Sequence, residues 1–203
     1  MVRSTPENGD RLGLSMAKLQ LKYYPAEVLR QSAKKISRID GSVRKLAQDM
    51  LDTMYANNGV GLAAPQIGHS KRLMVIDVAG EDEPRKPIVF INPEIVDVEG
   101  ELVGTEGCLS FPGVFFEVKR ANKVTVKYTN LAGKEQRMTA EGNLLSRAIQ
   151  HELDHLNGEL FIDKPVNKLL ADIEMTKNGF NGENVEINGT TIPIPSGEKQ
   201  LVG

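Results

Sequence analysis

The chain contains three histidines, and two of them lie in His151-Glu152-Leu153-Asp154-His155. Residues four apart share one face of a helix, about one turn from each other. Two imidazoles at that spacing can converge on one metal ion, with Glu152 beside them to take up and return a proton. The plainer alternative is a pair of helix-face histidines with no metal. A catalytic metal needs a third protein ligand and leaves another position to water. One zincin class would place a third histidine after His155-Leu156-Asn157-Gly158, but the required position holds Phe161. Two candidates then remain. Glu174 lies nineteen residues beyond His155, the spacing of another zincin class. Cys108, the only cysteine, stands in Glu106-Gly107-Cys108-Leu109-Ser110. Its thiolate is a strong ligand for zinc or iron(II), and Gly107 permits close backbone approach. Taken alone, a single cysteine is as readily a small buried hydrophobe.

These residues need elements to hold them. Asn143 can cap a helix over 144–156, with Leu145, Ala148, Ile149 and Leu156 as its apolar side and Asn157-Gly158 as its stop. An earlier helix begins at Ser42 as N-cap. Val43, Leu46, Ala47, Met50, Leu51 and Met54 repeat on one face, and Asn57-Asn58-Gly59 ends it. The segment Gly59-Val60-Gly61-Leu62-Ala63-Ala64-Pro65-Gln66-Ile67-Gly68 is glycine-rich and aperiodic. It lacks the Gly-Lys-Ser/Thr ending of a phosphate loop. Strands are expected at 72–78, 88–92, 94–98 and 101–103, then at 115–118, 124–128 and 135–139, with a hairpin turn at Asn130-Leu131-Ala132-Gly133. A short helix follows at 166–175. Strands do not alternate with helices, so the fold class is α+β rather than parallel α/β.

Composition narrows the setting. A chain of 203 residues is one domain by default. Lysine and arginine number 25 against 27 aspartates and glutamates, a net charge of −2 that gives no electrostatic case for nucleic acid. One cysteine rules out an intrachain disulfide and fits a reducing compartment. No stretch approaches the ~20 apolar residues of a membrane span. The first fifteen residues carry Glu7 and Asp10, lack the apolar stretch of a secretory signal, and precede Met16. They are read as a leader or cloning remnant, with one catalytic unit at 16–175. The tail at 176–203 is rich in Gly, Asn and Pro, and Asn188-Gly189 can turn a small hairpin.

Three segments together resemble the signature motifs of the peptide deformylase family, in the family's order: Gly59-Val60-Gly61-Leu62-Ala63-Ala64-Pro65-Gln66, Glu106-Gly107-Cys108-Leu109-Ser110 and Gln150-His151-Glu152-Leu153-Asp154-His155. The likeness spans about residues 19–165. It implies an α+β fold in which mixed antiparallel strands pack around a central helix bearing the histidine pair. It implies hydrolysis of the N-formyl group from the initiator formyl-methionine of nascent peptides, with release of formate. Cys108, His151 and His155 would hold one divalent metal, iron(II) by family habit, with zinc, nickel or cobalt able to substitute. Glu152 would act as general base and then acid on a metal-bound water, while the Gln66 amide and the Leu109 N–H stabilise the oxyanion.

Carried over residue by residue, the resemblance gives Val60, Gly61, Gly107, Leu144, Arg147 and Ala148 substrate-binding roles. Gly61 would bond the peptide as an added strand. Val60, Leu144 and Ala148 would line the methionine pocket above His151. The Arg147 stem would cover the pocket wall with its guanidinium at the rim. Glu106 and Arg120 would pair behind the cysteine. Two departures stand out. Gly113-Val114-Phe115-Phe116 is apolar where some members place an arginine, and 171–203 does not read as a long basic helix for ribosome docking. The implied partners are nascent formyl-methionyl peptides and, transiently, the ribosome, with neither a nucleic-acid site nor a membrane. The implied home is the bacterial cytoplasm, with a plastid or phage as other settings. Two rival functions remain open at this point: a zincin-type protease using Glu174, and a non-catalytic peptide-binding relative.

Overall fold

Four consecutive apolar residues, Leu73-Met74-Val75-Ile76, suit a strand covered on both faces, because successive side chains point to opposite sides. In the computed structural model, which describes residues 19–80 and 83–180, they form β2 (Leu73–Ile76) and are buried at every position. Leu73 and Val75 join the core with α1 (Gly41–Ala56), and Met74 and Ile76 join the core with α2 (Leu144–Asn157). The expected leader at 1–15 and the hairpin at Asn188-Gly189 lie outside the described residues.

β2 belongs to a five-stranded antiparallel sheet. Its order is β1 (Gly61–Ala63), β2, β3 (Ile88–Glu99), β6 (Lys123–Thr129) and β7 (Glu135–Glu141). The intervening β4 (Leu102–Cys108) and β5 (Phe111–Arg120) form a separate antiparallel ribbon. The ribbon has its own core, where Cys108, Phe111, Val114, Phe116 and Val118 meet Phe161 and Phe180. The fold is therefore α+β, with α2 lying between the sheet and the ribbon that carries the cysteine. No helix among the described residues is long and apolar enough to cross a membrane.

The helices form for the expected reasons, with one correction. The α1 stripe from Val43 to Met54 is buried, but its N-cap is Asp40 rather than Ser42. The Asp40 carboxylate accepts from the Ser42 and Val43 N–H groups at 2.9 and 3.2 Å, and the Ser42 hydroxyl is itself spent on Asp40. An ionised carboxylate also suits the positive end of the helix dipole. Asn143 caps α2 through Ser146 N at 2.9 Å, and Gly158 at φ 78° closes it in the left-handed conformation.

The strands depart further from the expected bounds. The two strands expected at 88–92 and 94–98 are one, β3. A register shift between Ile91 and Glu94, with Asn92 at φ 51°, accommodates Pro93. The aperiodic glycine segment is β1 followed by a 3-10 turn over Ala64–Ile67. The strand expected at 101–103 runs on to Cys108, because β4 pairs along its length with β5. The last helix, α3 (Lys168–Lys177), starts two residues later than expected, where the Asn167 side chain accepts from Leu170 N.

Candidate metal centre

Cys108 ends β4, and His151 and His155 sit one turn apart on α2. All three are buried, and their ligand atoms lie within 4.8 Å of one another. Cys108 Sγ is 3.3 Å from His155 Nε2. The apolar side of α2 (Ala148, Ile149, Leu153 and Leu156) packs on the sheet, so the histidines are turned toward the ribbon. Gln150 fixes this orientation: its amide accepts from Ala121 N and donates to Ala121 O, each at 2.9 Å.

The donor set fits a divalent cation. His151 Nε2 is buried and makes no hydrogen bond to any described residue, although buried polar groups are normally satisfied. Burial pushes the Cys108 thiol well above its ordinary pKa, and the nearby carboxylates of Glu152 and Glu106 push the same way. Burial and the neighbouring His151 hold His155 far below its ordinary value, in the neutral form that ligates metals. A cation is the group that would stabilise a thiolate here, with loss of the thiol proton on binding.

The remaining chemistry surrounds this cluster. Glu152, between the two histidines in sequence, is fully buried and lies against β1. A Cβ added at Gly61 would stand 2.9 Å from Glu152 Cδ and 3.0 Å from Cγ, so the carboxylate occupies room that only glycine leaves. Gln66 is fully buried in the 3-10 turn. Its Oε1 accepts from Ala63 N at 2.8 Å, which aims its Nε2 at Cys108 Sγ (3.5 Å) and Ser110 Oγ (3.4 Å). Leu109, next to the cysteine, is also buried, and its side chain lies close to Gly59. Gly107 lacks a side chain where the Phe115 ring crosses: an added Cβ would lie 2.6 Å from Phe115 Cδ1.

The Glu106–Arg120 pair expected from the sequence is present and is part of something larger. Arg120 donates to both Glu106 oxygens at 2.8 Å and to Asp154 Oδ2 at 2.5 Å. His151 Nδ1 lies 2.9 Å from Glu106 Oε2, so the metal-facing nitrogen is Nε2. Burial alone would raise the Glu106 pKa. The hydrogen bonds from Arg120 and His151 outweigh it and hold the carboxyl well below the usual range. Asp154 also takes Lys164 at 2.6 Å. Sequence reading gave no role to Asp154, Lys164 or Ser110. A signal existed for Asp154 alone, an acidic residue directly before His155 within the histidine motif.

Val60 and Ala148 are buried in one apolar cluster with Leu144 packed against it. Arg147 is corrected: its guanidinium does not reach a rim. It is buried, donating to Glu106 Oε1 (2.8 Å), Val118 O (3.0 Å) and Leu102 O (3.0 Å). The Glu106 carboxylate and the two carbonyls give the guanidinium partners inside the protein. Glu174 is on α3, accepts from the Asn178 side chain at 3.3 Å, and is no part of the Cys/His cluster among the described residues. The ligand set of a Glu174 protease is therefore not assembled.

Comparison with known proteins agrees with this geometry. A family model described as polypeptide deformylase matches residues 18–170. A peptide deformylase of Prochlorococcus marinus (strain AS9601) is 49% identical over 160 residues, covering 78% of this chain and 79% of the relative. One from Thermosynechococcus vestitus is 48% identical over 168 residues, covering 82% and 89%. Among solved structures, a peptide deformylase from Synechococcus elongatus in complex with actinonin is similar at TM-score 0.77 and 48% identity, covering 80% of this chain and 88% of that one. The Legionella pneumophila peptide deformylase is similar at TM-score 0.72 and 47% identity, covering 79% and 95%.

Proposed function

The chain belongs to the peptide deformylase family, and we propose from that membership and the geometry above which of its residues do the work. The activity is that of a metal-dependent hydrolase removing the N-formyl group from nascent peptides. The observation that carries the residue assignment is the gathering of Cys108, His151 and His155 ligand atoms within 4.8 Å.

These three residues would hold one divalent ion. Iron(II) is our choice, with zinc, nickel or cobalt as substitutes, because one thiolate and two imidazoles suit all of them. Such an ion supplies Lewis acidity and makes water acidic enough to ionise near neutral pH. Glu152 takes the proton of the attacking water and hands it to the departing amine, which is a poor leaving group unless protonated. Its burial beside Gly61 supports this role. The Gln66 amide and the Leu109 N–H donate to the oxyanion that develops on the formyl oxygen. The Ala63 contact supports Gln66 in this role, since it fixes which end of the amide faces Cys108.

The substrate would lie along β1, which is at the edge of its sheet. Gly61 and Gly107 would offer backbone groups to a peptide added as a strand. Val60, Leu144 and Ala148 would take the methionine side chain; their shared apolar cluster supports this. Formylated chains emerge from ribosomes, so the reading includes transient ribosome contact and a bacterial cytoplasmic setting, as the bacterial relatives suggest. Charges on α3 balance, Lys168 and Lys177 against Asp172 and Glu174, so that helix is not a basic docking arm. We take 16–175 as one catalytic unit, supported by the family match over 18–170. Formate release from a formyl-methionyl tripeptide, with the acetylated peptide as control, tests the activity. A Glu152→Ala chain that keeps its metal and loses turnover supports the proton-transfer role; retained turnover rejects it.

A further inference from the structure

Arg147 stands one turn before His151 on α2, on the same face. Its guanidinium spans three partners on two strands: the Leu102 carbonyl and the Glu106 carboxylate on β4, and the Val118 carbonyl on β5. Glu106 in turn is held at both oxygens. Oε1 accepts from Arg120 Nε and Arg147 Nη1, and Oε2 faces Arg120 Nη2 and His151 Nδ1, all at 2.8–2.9 Å. Without Arg147, Oε1 keeps only Arg120, whose guanidinium is shared with Asp154. Gly104 is part of the same arrangement. A Cβ there would lie 2.9 Å from Arg147 Nη2 and 3.1 Å from Cζ, so the guanidinium occupies the place of the missing side chain.

We propose that Arg147, seated over Gly104, is a positioning residue that locks Glu106 and β4 against α2 and so fixes His151 and Cys108 in metal-binding geometry. The planar head makes three bonds at once, which a lysine ammonium on a flexible stem cannot reproduce in the same directions. Groups that orient metal ligands in this way typically govern affinity and activity by roughly 10–100-fold. The inference deepens the proposed function and rests on Cys108 and His151 being ligands.

The test is anaerobic cobalt(II) titration of the full chain, followed by absorbance, for the parent, R147M, R147K and G104A. The parent should show thiolate-to-cobalt charge transfer; its absence would sink the ligand assignment itself. R147M should weaken cobalt binding by about 10–100-fold, shift the cobalt ligand-field bands, and lower kcat of the reloaded enzyme with KM little changed. R147K should recover part of that loss. G104A keeps the arginine but displaces its head, and should move affinity and spectrum in the same direction, so the test stands even if R147M fails to fold. Parent-like cobalt affinity and spectrum in the variants, with only thermal stability reduced, would overturn the proposal. So would a raised KM at unchanged kcat, the signature of a pocket wall.

Discussion

Replacing Gly61 with alanine tests the proposed proton-transfer role of Glu152 while leaving residue 152 itself unchanged. The new Cβ would stand 2.9 Å from Glu152 Cδ and 3.0 Å from Cγ. To reach an ordinary contact of 3.4 Å, the carboxylate carbon must retreat by about 0.5 Å, and its oxygens by more. Glu152 is fully buried, so the retreat has no solvent to move into and must turn the carboxylate away from the reacting water. General acid–base catalysis contributes roughly 10²–10⁴-fold, and a 1 Å misplacement can cost about 10²-fold. The expected loss in kcat/KM is therefore about 10²-fold, or about 2.7 kcal/mol in the barrier. Glu152 is not among the gathered metal ligands, so metal content should stay at one ion per chain. The assay is formate release from a formyl-methionyl tripeptide at varied substrate, with metal measured on the same samples. Activity within twofold of the parent would refute the reasoning, and so would activity lost only in proportion to metal lost.

Three further outcomes follow from the same geometry. Glu106→Gln leaves Arg120 and Arg147 buried beside a neutral amide, and should cost roughly 3–5 kcal/mol of stability at neutral pH in denaturant titrations. The Glu106 pKa is lower folded than its ordinary 4.5, so its contribution is full above pH 4.5 and fades as pH falls toward the folded value; the Gln variant should show a flatter stability curve in that acid range. Cys108→Ala should abolish stoichiometric metal binding while Glu174→Ala leaves it intact, by elemental analysis after dialysis; the reverse pattern would restore the protease reading. Gln66→Ala should lower kcat by roughly 10²–10³-fold with metal retained, and an unchanged kcat would remove Gln66 from the oxyanion site.

Local chemistry was legible in the sequence wherever one element carried it. The i, i+4 histidines, the capping Asn143 and the Gly158 stop all act within one helix, and each stands where the pattern placed it. The β-structure was less legible, because its bounds depend on partners elsewhere in the chain. Pro93 reads as a break but is absorbed by a register shift in β3, and β4 extends to Cys108 only because β5 pairs with it. Ser42 and Asp40 both have capping chemistry, and proximity in sequence does not decide which of them accepts the helix N–H groups. Arg147 was the hardest case. Its stem belongs to a helix face near the expected pocket, but its head is claimed by a glutamate 41 positions away. Asp154 was missed for the same reason, since its partner Arg120 lies 34 positions distant.

The central claim is that Cys108, His151 and His155 hold one metal that Glu152 serves as the proton-transfer group. It is tested most directly by anaerobic reconstitution with iron(II), with formate release and bound metal measured together for the parent and for Glu152→Ala. The expected result is one ion per chain in both, rapid deformylation of the formyl-methionyl peptide by the parent with the acetyl peptide untouched, and turnover lost in the variant. No formate from a fully metallated parent, or undiminished turnover in the variant, would contradict it.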